Sequence, residues 1–295
     1  MTGDNSYLQL DHLLDNLQVE QLDTCLFRGF TKVQRVPRVF GGQVLGQSVN
    51  AASRTVSSDR SIHSLHSYFL RPGNPKRAII YDVDPIRDGG SFTTRRVVAK
   101  QDGKAIFNAS MSFHKREQGF EHQIQMPTGV PDPQTLASEL EYWQPWFRDH
   151  PERCPIDLGQ YQAIDVRVIG RRDLDNPKPE QPVRGIWLKT SAALENDLAI
   201  HRVVLAYISD MHFMGTALRP HPVDFMSPGF QGASLDHAMW FHCDFRIDEW
   251  LYYHMDSPCA AGARGFNRGS FYTRDGRLVA SAAQEGLMRL LKSDT

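Results

Sequence analysis

Apolar residues recur at helical spacing in three stretches of the chain and alternate at strand spacing in most of the others. Leu8, Leu10, Leu13, Leu14, Leu17 and Leu22 mark an amphipathic helix over 6–24, with Asp and Glu between them. Strand-like pieces follow at 26–33 and 38–42. From Gly42 the run QVLGQSVNAASRTV reads as a second helix, with Val44, Leu45, Val49 and Ala52 as its stripe. Gly46, Ala51 and Ser53 keep it slim enough for a sheet to wrap it closely. The third helix, 195–217, has the strongest pattern: Ile200, Val203, Val204, Tyr207, Ile208, Met211 and Met214 repeat at helical spacing. Asn196 or Asp197 is available as its cap.

Alternation predicts strands at 63–70, 77–84, 91–101 and 105–114, separated by the turn signals RPGNP, RDGG and QDGK. Short turns between successive strands imply an antiparallel sheet. Residues 115–160 break the pattern with six prolines and the patch YWQPWF. They read as a connection with a short helix near 134–148. Strands resume near 164–169 and 184–190, and after the third helix at 233–241, 249–257, 262–273 and 278–288.

The second half repeats the first, each being a helix followed by about four strands. SFTTRRVVAKQDGKAIFNASMSF (91–113) matches GSFYTRDGRLVASAAQEGLM (269–288) in kind, and HSLHSYF (63–69) pairs with SLDHAMWF (234–241). His66 and His237 are 171 residues apart, and Asp102 and Asp275 are 173 apart. Two copies make a tandem duplication rather than a solenoid. The expected division is an N-terminal repeat over 1–118, a connection over 119–160 and a C-terminal repeat over 161–295.

The copies differ at two positions where an apolar pattern holds a polar residue. Gln284 shares a strand face with Leu278, Ala280 and Ala282, and its counterpart at the 173 spacing is Met111. Asp210 falls between Tyr207 and Met214 on the apolar stripe of the third helix, toward the end where the macrodipole disfavours a carboxylate. A buried carboxylate needs partners. Alone it would be as readily a structural Asp paired with an arginine, but the matching anomaly at Gln284 argues for a shared site. Ser234, in GASLDHAMWFHCDF, completes it.

Composition adds boundaries. The 295 residues are 41% hydrophobic and 23% charged, with a net charge of −1, so no basic field points to nucleic acid. Cys25, Cys154, Cys243 and Cys259 are scattered without CxxC spacing and read as reduced thiols. The N-terminal sequence lacks a signal-peptide pattern, no apolar run reaches membrane-spanning length, and the ending Leu-Lys-Ser-Asp-Thr is not a peroxisomal Ser-Lys-Leu. A cytoplasmic protein with no membrane anchor is expected.

Seven blocks, VFGGQVLGQSVNAA (39–52), HSLHSYFLRPG (63–73), YDVDPIRDGGSF (81–92), FEHQ (120–123), LDHAMWFH (235–242), ARGFNRGSFYTRDG (263–276) and QEGLMR (284–289), resemble the acyl-CoA thioesterase II family. The resemblance spans roughly 25–290 in order. It implies an α+β double hot-dog fold: in each tandem repeat an antiparallel sheet wraps a central helix, and the two sheets join edge to edge. It also implies a catalytic Asp, Ser and Gln, which fall on Asp210, Ser234 and Gln284. These three would hold and polarise a water that attacks an acyl-CoA thioester, with Asp210 as general base, no metal and no cofactor. A homodimer or dimer of dimers is implied as well.

Further site residues are expected around the trio. Backbone N–H groups at a helix start, here Gly41, Gly42 and Gln43, are candidates for the oxyanion; the same glycines also suit close sheet–helix contact. His63 is placed at the copy-one position of Ser234 and is expected to line the pocket. Met214, Met239 and Trp240 are expected against the acyl chain, and Arg71, Arg95, Arg264 and Arg268 are possible phosphate ligands of CoA. Asp236 is the runner-up carboxylate. No GxSxG elbow supports an acyl-serine route. An enoyl-thioester hydratase and a non-catalytic acyl-CoA-binding protein are the alternatives.

Overall fold

The computed structural model describes residues 3–31, 37–149, 158–173 and 176–291. Helix α1 (Gly3–Leu17) is followed by β1 (Glu20–Asp23), β2 (Leu26–Gly29), helix α2 (Gly41–Ser53) and four strands. These are β3 (Arg60–Phe69), β4 (Ile79–Asp88), β5 (Phe92–Gln101) and β6 (Lys104–Lys115). The connection carries α3 (Glu139–Asp149) and α4 (Leu158–Ala163). The second half holds β7 (Ile164–Ile169), β8 (Val183–Thr190), α5 (Leu198–Ser209), β9 (Phe230–Ser234), β10 (Asp236–Phe241), β11 (Leu251–Ala261), β12 (Arg264–Thr273) and β13 (Leu278–Leu290).

The strands form one antiparallel sheet in the order β1-β2-β4-β5-β6-β3-β10-β13-β12-β11-β8-β7, with β9 on β13. Reading inward from either edge gives the same sequence of roles, so the double hot-dog architecture is plain. The halves meet where β3 pairs with β10, Leu65 opposite Met239 and His66 opposite Ala238. The edge pairing that would expose two separate sheets is thus made inside one chain.

Each half also contains a hairpin before its central helix, β1–β2 and β7–β8; the pieces expected at 26–33, 164–169 and 184–190 supply β2, β7 and β8, and β1 is the unexpected strand. That is why the first helix is shorter than its leucines suggest. The segment 18–24 leaves the helix to form β1, and Leu22 is 42% exposed there instead of continuing the stripe. The end of the strand-like piece 26–33 and Cys154 lie outside the described residues.

Helices α2 and α5 lie side by side in the concave face. A Cβ added to Gly42 would lie 2.2 Å from the Tyr207 carbonyl oxygen, and one on Gly46 would lie 3.2 Å from that of Val203. The slim face of α2 is therefore turned to α5 as well as to the sheet. The contacts run antiparallel, so the start of α2 meets the end of α5.

Hydrogen-bond register fixes how the copies superpose. Both β5 and β12 shift register at a bulge, after Ala99 and after Phe271. Their partner strands are offset by 173, as Phe107 opposite Ala99 and Ala280 opposite Phe271 show. The offset is therefore 172 for β5 and β12. Ile62 opposite Phe113 then matches Ser234 opposite Gly286, and the unpaired residue that follows is His63 in one copy and Leu235 in the other. His63 is thus the counterpart of Leu235, not of Ser234. Leu65, rather than His66, occupies the place of His237.

Candidate active site

Asp210 is the residue that ends α5, with φ −84° and ψ −12°, not a member of a helix running to 217. The chain turns away at once: His212 has φ +60°, and a short 3-10 turn follows at Met214–Thr216. At the other end, Asp197 is the cap, its side chain accepting the Ala199 N–H.

The carboxylate of Asp210 points at the start of α2. Its Oδ2 accepts the backbone N–H of Gly42 at 3.0 Å. Helix α2 has no side-chain cap of its own at Phe40 and no acid in its first turn. Asp210 therefore supplies the missing cap from another helix, where the positive end of the α2 dipole favours a negative charge. A Cβ on Gly41 would lie 2.6 Å from the same Oδ2, so only glycine admits the carboxylate there.

Gln284, fully buried on β13, donates from Nε2 to Asp210 Oδ1 at 2.6 Å. The same nitrogen lies 3.2 Å from His237 Nδ1 and 3.3 Å from Ser234 Oγ. Two N–H hydrogens cannot serve three acceptors. The two shorter contacts take them, which leaves Ser234 as a donor toward Asp210, to which its hydroxyl is hydrogen-bonded.

This allocation fixes the histidine. His237 Nδ1 accepts, so Nε2 carries the proton and donates to Ser209 Oγ at 2.9 Å; Ser209 Oγ in turn donates to the Ala206 carbonyl at 2.8 Å. Burial pushes the His237 pKa down to about 3, so the ring is neutral. It serves as a fixed acceptor behind Gln284.

Burial is also the largest influence on Asp210 and raises its pKa above the ordinary carboxylate value. The hydrogen bonds from Gln284, Gly42 and Ser234, in that order, oppose the rise. A carboxylate that is dehydrated yet supplied with donors is a base poised above its usual range.

Asp210 and Ser234 open into a cavity of about 630 Å3. Gly41, Gln43, Phe40, Val39, Phe69, Phe107, Met214 and Leu235 are among its lining residues. The structure therefore brings Asp210, Ser234, Gln284 and the start of α2 together. The Gly42 N–H is engaged by Asp210, so it positions the base and is not available to an oxyanion. Gln43 donates its side-chain amide to Thr31 Oγ1 at 2.9 Å and its backbone N–H to the Phe40 carbonyl at 3.1 Å.

Three expected lining residues lie elsewhere. His63, the bulge residue of β3, bonds Ser112 Oγ at 2.8 Å and packs edge-on to Phe92, away from the cavity. Met239 is buried between β3 and β13, and Trp240 points to the opposite face against His66. The one-residue break at Leu235 sends Trp240 to the outer face, whereas Met239 keeps the inner face with His237 and packs into the core. Asp236 accepts the Glu285 backbone N–H at 2.6 Å and is not among the cavity's lining residues.

The pattern of the sequence missed a second polar cluster beside the site. His212 lines the cavity, with Nε2 3.4 Å from Tyr161 Oη and Nδ1 3.4 Å from Arg184 Nη1. Behind it buried Glu139 pairs with Arg171 and accepts Trp143 Nε1–H at 2.6 Å. Burial first, then Arg184 and Arg171, push the His212 pKa down to about 4 against the pull of Glu139. Gln160 and Tyr161 also line the cavity, so the connection contributes a wall to it. The positive φ at His212 was the only local signal, and a sequence does not display it.

Copy one shows what the site replaced. The row His237–Gln284–Asn267 across β10, β13 and β12 corresponds to Leu65–Met111–Arg95. The residue ending α2 is Arg54 where α5 ends in Asp210. One chain thus builds one such site.

Comparison with known proteins agrees with this architecture. The family description "Acyl-CoA thioesterase N-terminal domain" matches residues 32–114, and "Acyl-CoA thioesterase" matches 171–287. Acyl-coenzyme A thioesterase 8 of Mus musculus is 40% identical, covering 93% of this chain and 88% of that protein. Acyl-CoA thioesterase 2 of Haemophilus influenzae is 36% identical, with coverages of 95% and 98%. The crystal structure of the acyl-CoA thioesterase II TesB2 from Mycobacterium marinum superposes with a TM-score of 0.78 at 38% identity, over 94% of this chain and 98% of that one. Among the described residues no helix is long and apolar enough to cross a membrane. With two family matches on its two halves and relatives aligned along nearly its full length, the chain belongs to the acyl-CoA thioesterase family and is a thioester hydrolase.

Proposed function

We propose that the chain hydrolyses fatty acyl-CoA to a free fatty acid and CoA, using a water activated by Asp210, Ser234 and Gln284. The observation that carries this reading is the Asp210 carboxylate: buried, with a raised pKa, held by Gly42 and Gln284, and facing an apolar cavity. Asp210 takes a proton from water as the water attacks the thioester carbonyl. The tetrahedral intermediate then collapses, the C–S bond breaks, and the thiolate leaves with a proton returned from Asp210. Ser234 and Gln284 hold the carboxylate and the water in line. General-base assistance of this kind contributes about 10²–10⁴ in rate. The apolar wall of Val39, Phe40, Phe69 and Phe107 suits an acyl chain.

Direct attack by water separates this route from an acyl-serine route. Single-turnover hydrolysis of dodecanoyl-CoA in ¹⁸O-water is expected to place one label in the fatty acid with no covalent protein adduct. An acyl group trapped on Ser234 and detected by mass spectrometry would overturn it. Water added to an enoyl-CoA with the thioester intact would point to a hydratase. His237 supports the hydrolase instead: both its ring nitrogens are engaged and it is buried behind Gln284.

A further inference from the structure

Among the described residues that line the cavity, Asp210 is the sole acid and Arg38 and Arg71 are the two guanidiniums. Both arginines are exposed, whereas Asp210 is buried at the other extreme of the polar lining. They come from segments 33 residues apart that the fold joins directly. The Val39 N–H donates to the Gly73 carbonyl at 2.9 Å, and a Cβ on Gly73 would lie 3.0 Å from Val39 Cγ2. This close pairing sets Arg38 and Arg71 on neighbouring strands of backbone at the exposed rim.

The other arginines that the sequence offered as phosphate ligands are already committed. Arg264 is paired with Glu285 at 2.9 Å, Arg268 with Asp256 at 2.6 Å, and Arg95 is buried against Asp88 at 2.8 Å. Arg71 spends one Nη1–H on the Ala105 carbonyl at 2.7 Å and has no carboxylate partner among the described residues. Arg38 has none either. An unpaired guanidinium fork at the rim of an apolar cavity matches a phosphate bidentately.

We infer that Arg38 and Arg71 form the phosphate subsite of this cavity, gripping the phosphates of the CoA moiety while the pantetheine arm reaches inward to Asp210. The inference rests on the thioesterase reading above and assigns its anionic end. The grip is made equally in the ground and transition states, so it acts on KM and leaves the chemical step to Asp210.

The test compares wild type, Arg38→Ala, Arg71→Ala and the double variant on dodecanoyl-CoA, dodecanoyl-3′-dephospho-CoA and dodecanoyl-pantetheine, reading thiol release. The quantity read is the ratio of kcat/KM for the CoA ester to that for the pantetheine ester. It is expected to fall about tenfold for one guanidinium and about a hundredfold for both, through KM. Turnover of the pantetheine ester reports that each variant is folded. A loss that persists with the dephospho ester places the diphosphate on the arginines. A loss that disappears with it places the 3′-phosphate there. An unchanged ratio in the double variant overturns the subsite while the thioesterase reading stands. Absence of thiol release from every ester by the wild type would instead sink the thioesterase reading itself.

Discussion

Asp210 Oδ2 accepts the Gly42 N–H at 3.0 Å across 168 residues of sequence, so the residue ending one central helix caps the start of the other. The contact resolves a conflict visible in the sequence. A carboxylate at the end of α5 is disfavoured by that helix, but the start of α2 compensates at the same point. The base is held by the fold's own duplication, with one half supplying the charge and the other the dipole.

The two glycines at this junction make separable predictions. Gly42→Ala drives a methyl to 2.2 Å from the Tyr207 carbonyl oxygen and forces α2 from α5. Thermal unfolding is expected to show a loss of about 1–3 kcal/mol. Gly41→Ala instead meets Asp210 Oδ2 at 2.6 Å and the Phe69 ring at 3.1 Å. Its main effect is expected in kcat, with a smaller change in Tm than Gly42→Ala.

Activity should follow one ionisation on the acid side. Asp210 must be charged to act, and burial holds its pKa above the ordinary value. The logarithm of kcat is expected to rise with unit slope through that raised pKa and then level. His237 and His212, pushed down to about 3 and about 4, stay neutral above pH 5 and add no step near 6.5. A histidine-like step near 6.5 that vanishes in a His212 or His237 variant would contradict this.

Stability should move the other way. A carboxyl whose folded pKa is raised favours the fold while protonated and loses that contribution as pH rises through the folded value. The unfolding free energy of wild type minus that of Asp210→Asn is therefore expected to fall from acid toward neutral pH and then flatten. Denaturant titrations at several pH values measure it. A difference that rises with pH would mean that the donors outweigh burial.

Gln284→Glu places a second carboxyl 2.6 Å from Asp210 Oδ1. Two such groups share one proton. The acid limb of the kcat profile is expected to move to higher pH, and Gln284→Leu, which only removes the donor, should shift it less. Equal profiles for the two variants would show that Gln284 does not face the working carboxylate.

Much of this was legible in the sequence because burial leaves a pattern. Gln284 and Asp210 stood out as polar residues in apolar rows, and the structure joins them by a hydrogen bond. Matching the repeats on their histidines sets His66 on His237, one residue out, whereas hydrogen-bond register sets the equivalent bulge residues His63 and Leu235 together. That slip put His63 in the pocket, while the break at Leu235 turns Trp240 to the outer face and Met239 lies in the core. The role of Gly42 was hidden for another reason. An N–H has no side-chain signature, and its partner lies in the other repeat.

The most direct measurement is free-thiol release from medium- and long-chain acyl-CoAs by wild type and Asp210→Asn. The substitution keeps the shape and removes the charge. Turnover by the wild type and a fall of about 10²–10⁴ in the kcat of the variant are expected. Turnover equal in the two proteins would contradict this and move the search for the base to Asp236 or His212.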